Sequence, residues 1–305
     1  MSRGEFPHSS AAAEGMRVIE ARRGLSNVYV HLNVPYAEKS GRVLHLQIVQ
    51  VSGDGSMLGD EEAFARRHPC IVFVQGSAWQ EQALGSSMAF WCHFAERGYT
   101  VAIVEYRPSS VAAFPAQVQD AKTAVRWLRA NSDVYGIDPD QMVMAGDSSG
   151  GHTALMVHAT QDLDVFDDEP GQALGVGAFI DFFGPTDLGR LNDDPTTMDH
   201  SSMDSPEGQL LGGVAPAQVP ELVRQANPAT WVTKDALLAP LLIVHGSKDR
   251  IIPFAQSVYH YDALKKTGQP VELVQVRDGD HGIWPAIFND ELAEILADFI
   301  ARAAG

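Results

Sequence analysis

The chain has 305 residues, 39 of them acidic against 22 basic, for a formal charge of −17. A field of that sign repels phosphate backbones and anionic bilayers, which argues against a nucleic-acid or membrane-surface partner. Cys70 and Cys92 are the sole cysteines and no Cys/His cluster has ligand spacing, so no disulfide framework, metal site or cofactor is expected.

Residues 1–20 read as a flexible lead-in, with Ser9-Ser10-Ala11-Ala12-Ala13 giving no packing pattern. No apolar leader follows Met1, and no run approaches the roughly 18 apolar residues of a membrane span, so a cytoplasmic protein is expected. Residues 21–305 are expected to form one α/β domain. It opens with two β-rich segments, Asn27–Leu32 and Val43–Val49, which alternate in part and are joined by Lys39-Ser40-Gly41, an antiparallel hairpin.

From Cys70 onward the pattern changes. Ile71–Val74, Val101–Val104, Met142–Met144, Val176–Ile180 and Leu241–Val244 are short apolar runs of the kind that parallel strands buried on both faces require. Between the second and third, Pro115 can start a helix whose Val118, Ala121, Val125 and Leu128 recur at helical spacing. Val271–Val276 adds an alternating strand, and Leu292, Ile295, Leu296 and Phe299 give a terminal helix its apolar stripe. The fold class is therefore a mostly parallel twisted sheet with helices on both faces. Between about 185 and 238 the sheet pattern lapses into an insertion, where Ser205-Pro206-Glu207 starts a short helix that Gly212-Gly213 ends.

Gly146-Asp147-Ser148-Ser149-Gly150 lies where a strand meets a helix. Gly-x-Ser-x-Gly in that context is a nucleophile elbow, a turn too tight for side chains two residues either side of the serine, and it marks Ser148 as nucleophile. A serine hydroxyl needs a base to take its proton, and the base needs an acid to hold its tautomer. In this architecture the acid and then the histidine follow at later strand ends. Asp249 stands just past Leu241–Val244 and His281 just past Val271–Val276. Asp249 could instead be a loop carboxylate or a helix cap, and Asp278 and Asp280 are rival acids that adjoin the histidine. His152 and His245 are expected to be structural. The oxyanion of an ester's tetrahedral intermediate calls for backbone donors: the N–H of Ser149, and one from Gln75-Gly76-Ser77-Ala78-Trp79 after Ile71–Val74.

With these residues in place the chain resembles α/β-hydrolase esterases of the group related to hormone-sensitive lipase and the bifunctional feruloyl and acetylxylan esterases. The likeness runs from about residue 27 to 303. It is carried by Tyr106-Arg107, Phe114–Gln117, Ala124–Arg129, Tyr135–Pro139, Gly146–Gly151, Phe183–Leu188 and His245–Asp249. The group usually has His-Gly-Gly-Gly or His-Gly-Gly before the tryptophan, where this chain has Gln75-Gly76-Ser77-Ala78. Carrying the role over points to Ser77 and Ala78, with the choice between them open.

The resemblance implies hydrolysis of a small carboxylic ester through an acyl-enzyme. With a cytoplasmic setting, hydroxycinnamate esters of feruloyl or chlorogenate type are favoured over polymeric xylan. A short-chain acetyl esterase is the alternative, and a small serine aminopeptidase of the prolyl-oligopeptidase type a more distant one. Trp79, Phe183 and Trp284, and with them Phe90 and Trp91, lie in or near segments expected to wall an aromatic acyl pocket. Lys248 and Arg250 flank the acid and could attract a substrate carboxylate or be solvated. The insertion is expected to cap the pocket, and monomer and homodimer are both compatible with the sequence.

Overall fold

The computed structural model describes residues 7–20, 27–51, 66–282 and 289–304. Strand β1 (Val28–Lys39) turns into β2 (Arg42–Val51) through Ser40 and Gly41, both at positive φ, 53° and 72°. Two left-handed residues in succession match the twist of the flanking strands, so Lys39 pairs directly with Arg42.

β3 (His68–Val74), β4 (Thr100–Val104), β5 (Ile137–Asp147), β6 (Ala178–Phe182), β7 (Leu241–Gly246) and β8 (Val271–Val276) complete one eight-stranded sheet. Its order is β1-β2-β4-β3-β5-β6-β7-β8; pairing is antiparallel from β1 through β2 to β4 and parallel thereafter. The sixth strand starts two residues later than the apolar run suggested. Gly175 has φ 66° and Gly177 spends its N–H on the Met142 carbonyl before the ladder begins.

Alternate residues of the central strands serve two separate cores. Val72 and Val74 face one, and Ile71 and Phe73 the other. Helices α2 (Ala116–Ala130), α3 (Ser149–Thr160) and α6 (Ala255–Thr267) cover the first face, with Val118, Ala121, Val125 and Leu128 forming the expected stripe. Helices α1 (Met88–Ala95) and α7 (Asp290–Ala304) cover the second, through Trp91, Phe94, Leu292, Leu296 and Phe299. Between β6 and β7 the chain makes only short helical turns. Among them are α4 (Pro206–Leu210), capped by Ser205 Oγ on the Gly208 N–H, and α5 (Pro220–Gln225). Gly212 and Gly213, at φ 88° and 78°, stop α4.

From β3 the chain runs to β4 on one side, whereas β5 and its successors extend the sheet on the other. In open α/β sheets the crevice at such a switch, beyond the carboxyl ends of the strands, is where ligands bind. The loops after β3 and β5 meet there.

Candidate active site

Ser148 is the single residue between β5 and α3, with φ 52° and ψ −124°. A non-glycine residue in that region costs about 1–3 kcal/mol and must be held by its surroundings. Here the Ser148 N–H is bound by the Phe182 carbonyl at 2.9 Å and the Ser148 carbonyl by the His152 N–H at 3.0 Å. The flanking glycines are steric necessities. A Cβ on Gly146 would collide with the Gly150 carbonyl, and one on Gly150 with the Val74 carbonyl. Positive φ recurs at Ala78 (56°), Trp79 (55°), Phe183 (46°) and Asp278 (62°), so backbone strain gathers in the loops after β3, β5, β6 and β8.

Ser148 Oγ lies 2.9 Å from His281 Nε2, and His281 Nδ1 lies 2.8 Å from Asp249 Oδ2. The acid's other oxygen accepts the backbone N–H groups of Ile251 and Ile252, each at 2.9 Å. Burial works to raise the Asp249 pKa, but donation from His245 and His281 outweighs it and holds the carboxyl well below its ordinary range. The rival acids point elsewhere. Asp278 pairs with Lys248, and Asp280 accepts the His281 backbone N–H while pairing with Arg250. Both cations flanking Asp249 are thereby engaged.

The two candidates for the second oxyanion donor differ in what they have left to give. The Ser77 N–H is spent on Ser149 Oγ at 2.9 Å, and Gly76 N–H on Asp147 Oδ1 at 2.7 Å. The loop is braced further by hydroxyls: Ser77 Oγ donates to the Gln80 carbonyl at 2.6 Å, and Tyr106 Oη lies 2.9 Å from Ser77 Oγ and 3.2 Å from Ser149 Oγ. Gln75 donates to the Ala83 carbonyl and Ser86 Oγ and so ties the loop to the segment that leads into α1. Beneath the elbow sit two buried carboxyls. Burial pushes Asp147 up to about 6 and Asp181 up to about 7.

A cavity of about 510 Å³ opens over Ser148 and is lined by Gln75–Trp79, Ser86, Ser87, Phe183, Ile251 and Ile252, and from the insertion by Met198, His200, Pro206 and Glu207. Trp79 and Phe183 thus stand in its wall, although both are almost wholly buried and back the site more than they face it. Trp284 lies outside the described residues. Phe90 and Trp91 do not reach the cavity. They pack in the core between the sheet and helices α1 and α7, Trp91 4.6 Å from the Phe73 ring and 5.2 Å from Phe94.

Sequence reasoning also passed over an ion pair in the cavity wall. His200 Nδ1 lies 3.0 Å from Glu207 Oε1, and its Nε2 donates to the Ile251 carbonyl at 2.9 Å. Burial opposes charge on His200, yet the Glu207 contact outweighs it and raises the pKa.

Fold and site together define an α/β-hydrolase with a Ser-His-Asp relay. A family model described as BD-FAE matches residues 60–264, more than half of the chain, and the chain belongs to that family. Esterase LipC of Mycobacterium tuberculosis is 26% identical over 249 residues, covering 79% of this chain and 60% of LipC. The chain spans about half to three fifths of the mycobacterial relatives it matches. Among solved structures, a truncated carbohydrate esterase from gut microbiota superposes with a TM-score of 0.73 at 26% identity, over 93% of this chain and 98% of that one. Est2 of Thermogutta terrifontis, with propionate bound, gives 0.67 at 25% identity over 91% and 94%.

Proposed function

We propose that this carboxylic ester hydrolase works through an acyl-enzyme on Ser148. His281 Nε2 takes the hydroxyl proton as Ser148 Oγ attacks the ester carbonyl, then returns it to the departing alkoxide; a water repeats the sequence in reverse to free the acid. Asp249 fixes the tautomer with Nδ1 protonated and steadies the imidazolium between the two transfers. The observation that carries this reading is the continuous relay of 2.9 and 2.8 Å from Ser148 through His281 to Asp249. The Ser149 and Ala78 backbone N–H groups are the oxyanion donors in this scheme. Ser77, its own N–H committed to Ser149 Oγ, is assigned the part of holding the loop.

For the acyl group we favour hydroxycinnamates. Membership of the BD-FAE family and the aromatic Trp79 and Phe183 in the cavity wall support this, and about 510 Å³ suits a small aromatic ester. The second reading is a short-chain acyl ester, favoured by the propionate- and butyrate-bound structures of Est2. Matched methyl esters separate them. A kcat/KM for methyl ferulate at least about tenfold above methyl butyrate and methyl acetate supports the first reading. The reverse order overturns it.

A further inference from the structure

Asp249 faces two histidines. Its Oδ2 lies 2.8 Å from His281 Nδ1 and 3.2 Å from Nε2 of His245, four residues upstream in β7 and fully buried. The protons of His245 follow from its neighbours. Nε2 confronts two acceptors, Asp249 Oδ2 and the Ile252 carbonyl at 2.9 Å, so it must carry a hydrogen. Nδ1 lies 2.7 Å from Ser257 Oγ, a hydroxyl able to donate to it. His245 is therefore assigned a hydrogen on Nε2, shared between a carboxylate and a carbonyl.

We propose that His245 is a positioning residue for the relay: donating to the same Asp249 Oδ2 that His281 uses, it holds the carboxylate in line with the His281 imidazole and limits the negative charge that His281 faces. A carboxylate stabilises an imidazolium less when another donor draws on the same oxygen. The other charged groups near His281 are Asp147, whose field reaches it, and Asp280, which accepts its backbone N–H. Neither touches Asp249, so neither substitutes for His245. Phe183 and Phe254 flank His245, their rings 6.3 and 5.5 Å away, and the side chains of His245 and Asp249 are both shut off from solvent.

The inference rests on the relay proposed above, and its test has one arm that does not depend on turnover. In wild-type protein, side-chain ¹⁵N spectra should show a hydrogen on His245 Nε2; an Nδ1–H tautomer, with nothing to donate to Asp249, overturns the proposal. In the second arm, the acidic limb of kcat/KM for 4-nitrophenyl acetate should rise by about half to one pH unit in His245→Leu. In the same variant kcat should fall about 10- to 100-fold with KM changed less than about threefold. His245→Gln, whose amide can still donate, should restore most of both. An unmoved limb in folded His245→Leu, or a Gln variant as impaired as the Leu one, sinks the idea. If His245→Leu does not fold, the limb in His245→Gln against His245→Met decides by the same criterion. Full activity in Ser148→Ala would instead break the relay itself while leaving the Nε2 hydrogen assignment standing.

Discussion

Ser149 Oγ accepts the backbone N–H of Ser77 at 2.9 Å, so the residue after the nucleophile latches the loop that faces it across the cleft. Ser149→Ala keeps its own backbone N–H but releases Ser77. We expect kcat to fall about 10-fold or more while KM stays within about threefold, because misplaced donors weaken the transition state more than the ground state. Steady-state kinetics on one methyl ester check this, and an unchanged kcat would show that the latch is dispensable.

Ser148→Ala should lower kcat by about a million-fold if the relay acts as a unit, and Asp249→Asn by about ten-thousand-fold. An organophosphate ester should transfer its phosphoryl group to Ser148 in the wild type, with loss of its leaving group, and to no serine in the Ala variant. Intact-protein and peptide mass spectrometry read both results. Should Asp249→Asn be nearly silent while Asp280→Asn is crippling, the acid would have to be reassigned.

The buried Asp181 and Asp147 give stability a definite pH sign. Their carboxyls sit at about 7 and about 6, against an ordinary 3.8, because burial penalises the charged form. The folded state therefore holds protons that the unfolded chain has released. Their stabilising contribution is complete below about pH 4 and is lost as pH rises through 6 and 7, at about 1.4 kcal/mol per proton per pH unit. Asp181→Asn, whose amide oxygen can still accept the Gly184 N–H, should gain in melting temperature relative to wild type at pH 8 compared with pH 5. Parallel melts at the two pH values, followed by circular dichroism, test the sign.

Gly150→Ala would drive a methyl group into the Val74 carbonyl, a main-chain atom of a central strand that cannot step aside. We expect a loss of about 3 kcal/mol or more in urea unfolding, with β3 and α3 pushed apart. A loss below about 1 kcal/mol would mean that the elbow tolerates a wider turn than its geometry indicates.

Much of this was legible in the chain. The parallel strands announce themselves because both faces are covered, so Ile71–Val74 and Leu241–Val244 are apolar throughout, and Ser40-Gly41 marks the hairpin because two left-handed residues are needed there. Asp249 and His281 could be picked out because each closely follows a strand. What stayed hidden depends on contacts between distant segments. Ser77 and Ser149 are 72 residues apart, so nothing in Gln75–Ala78 says which N–H is already taken. His245 sits in an apolar strand like any packed histidine, and only the return of the chain at Asp249 and Ser257 gives its two nitrogens their partners. The sequence likewise could not tell Trp91 from a pocket residue, since the layer in which α1 is laid is set by distant contacts such as that with Phe73.

The placement of β8 bears on how the enzyme fails. Ser148 follows a strand with neighbours on both sides, whereas His281 hangs from the outermost strand, joined to the rest of the sheet by β7 alone. An outer strand can open locally for less free energy than the whole molecule needs to unfold. Warming should therefore detach the base while the nucleophile and its elbow are still intact. Inactivation should set in below the melting of the bulk secondary structure and reverse on cooling, with amide exchange along Val271–Val276 quickening first.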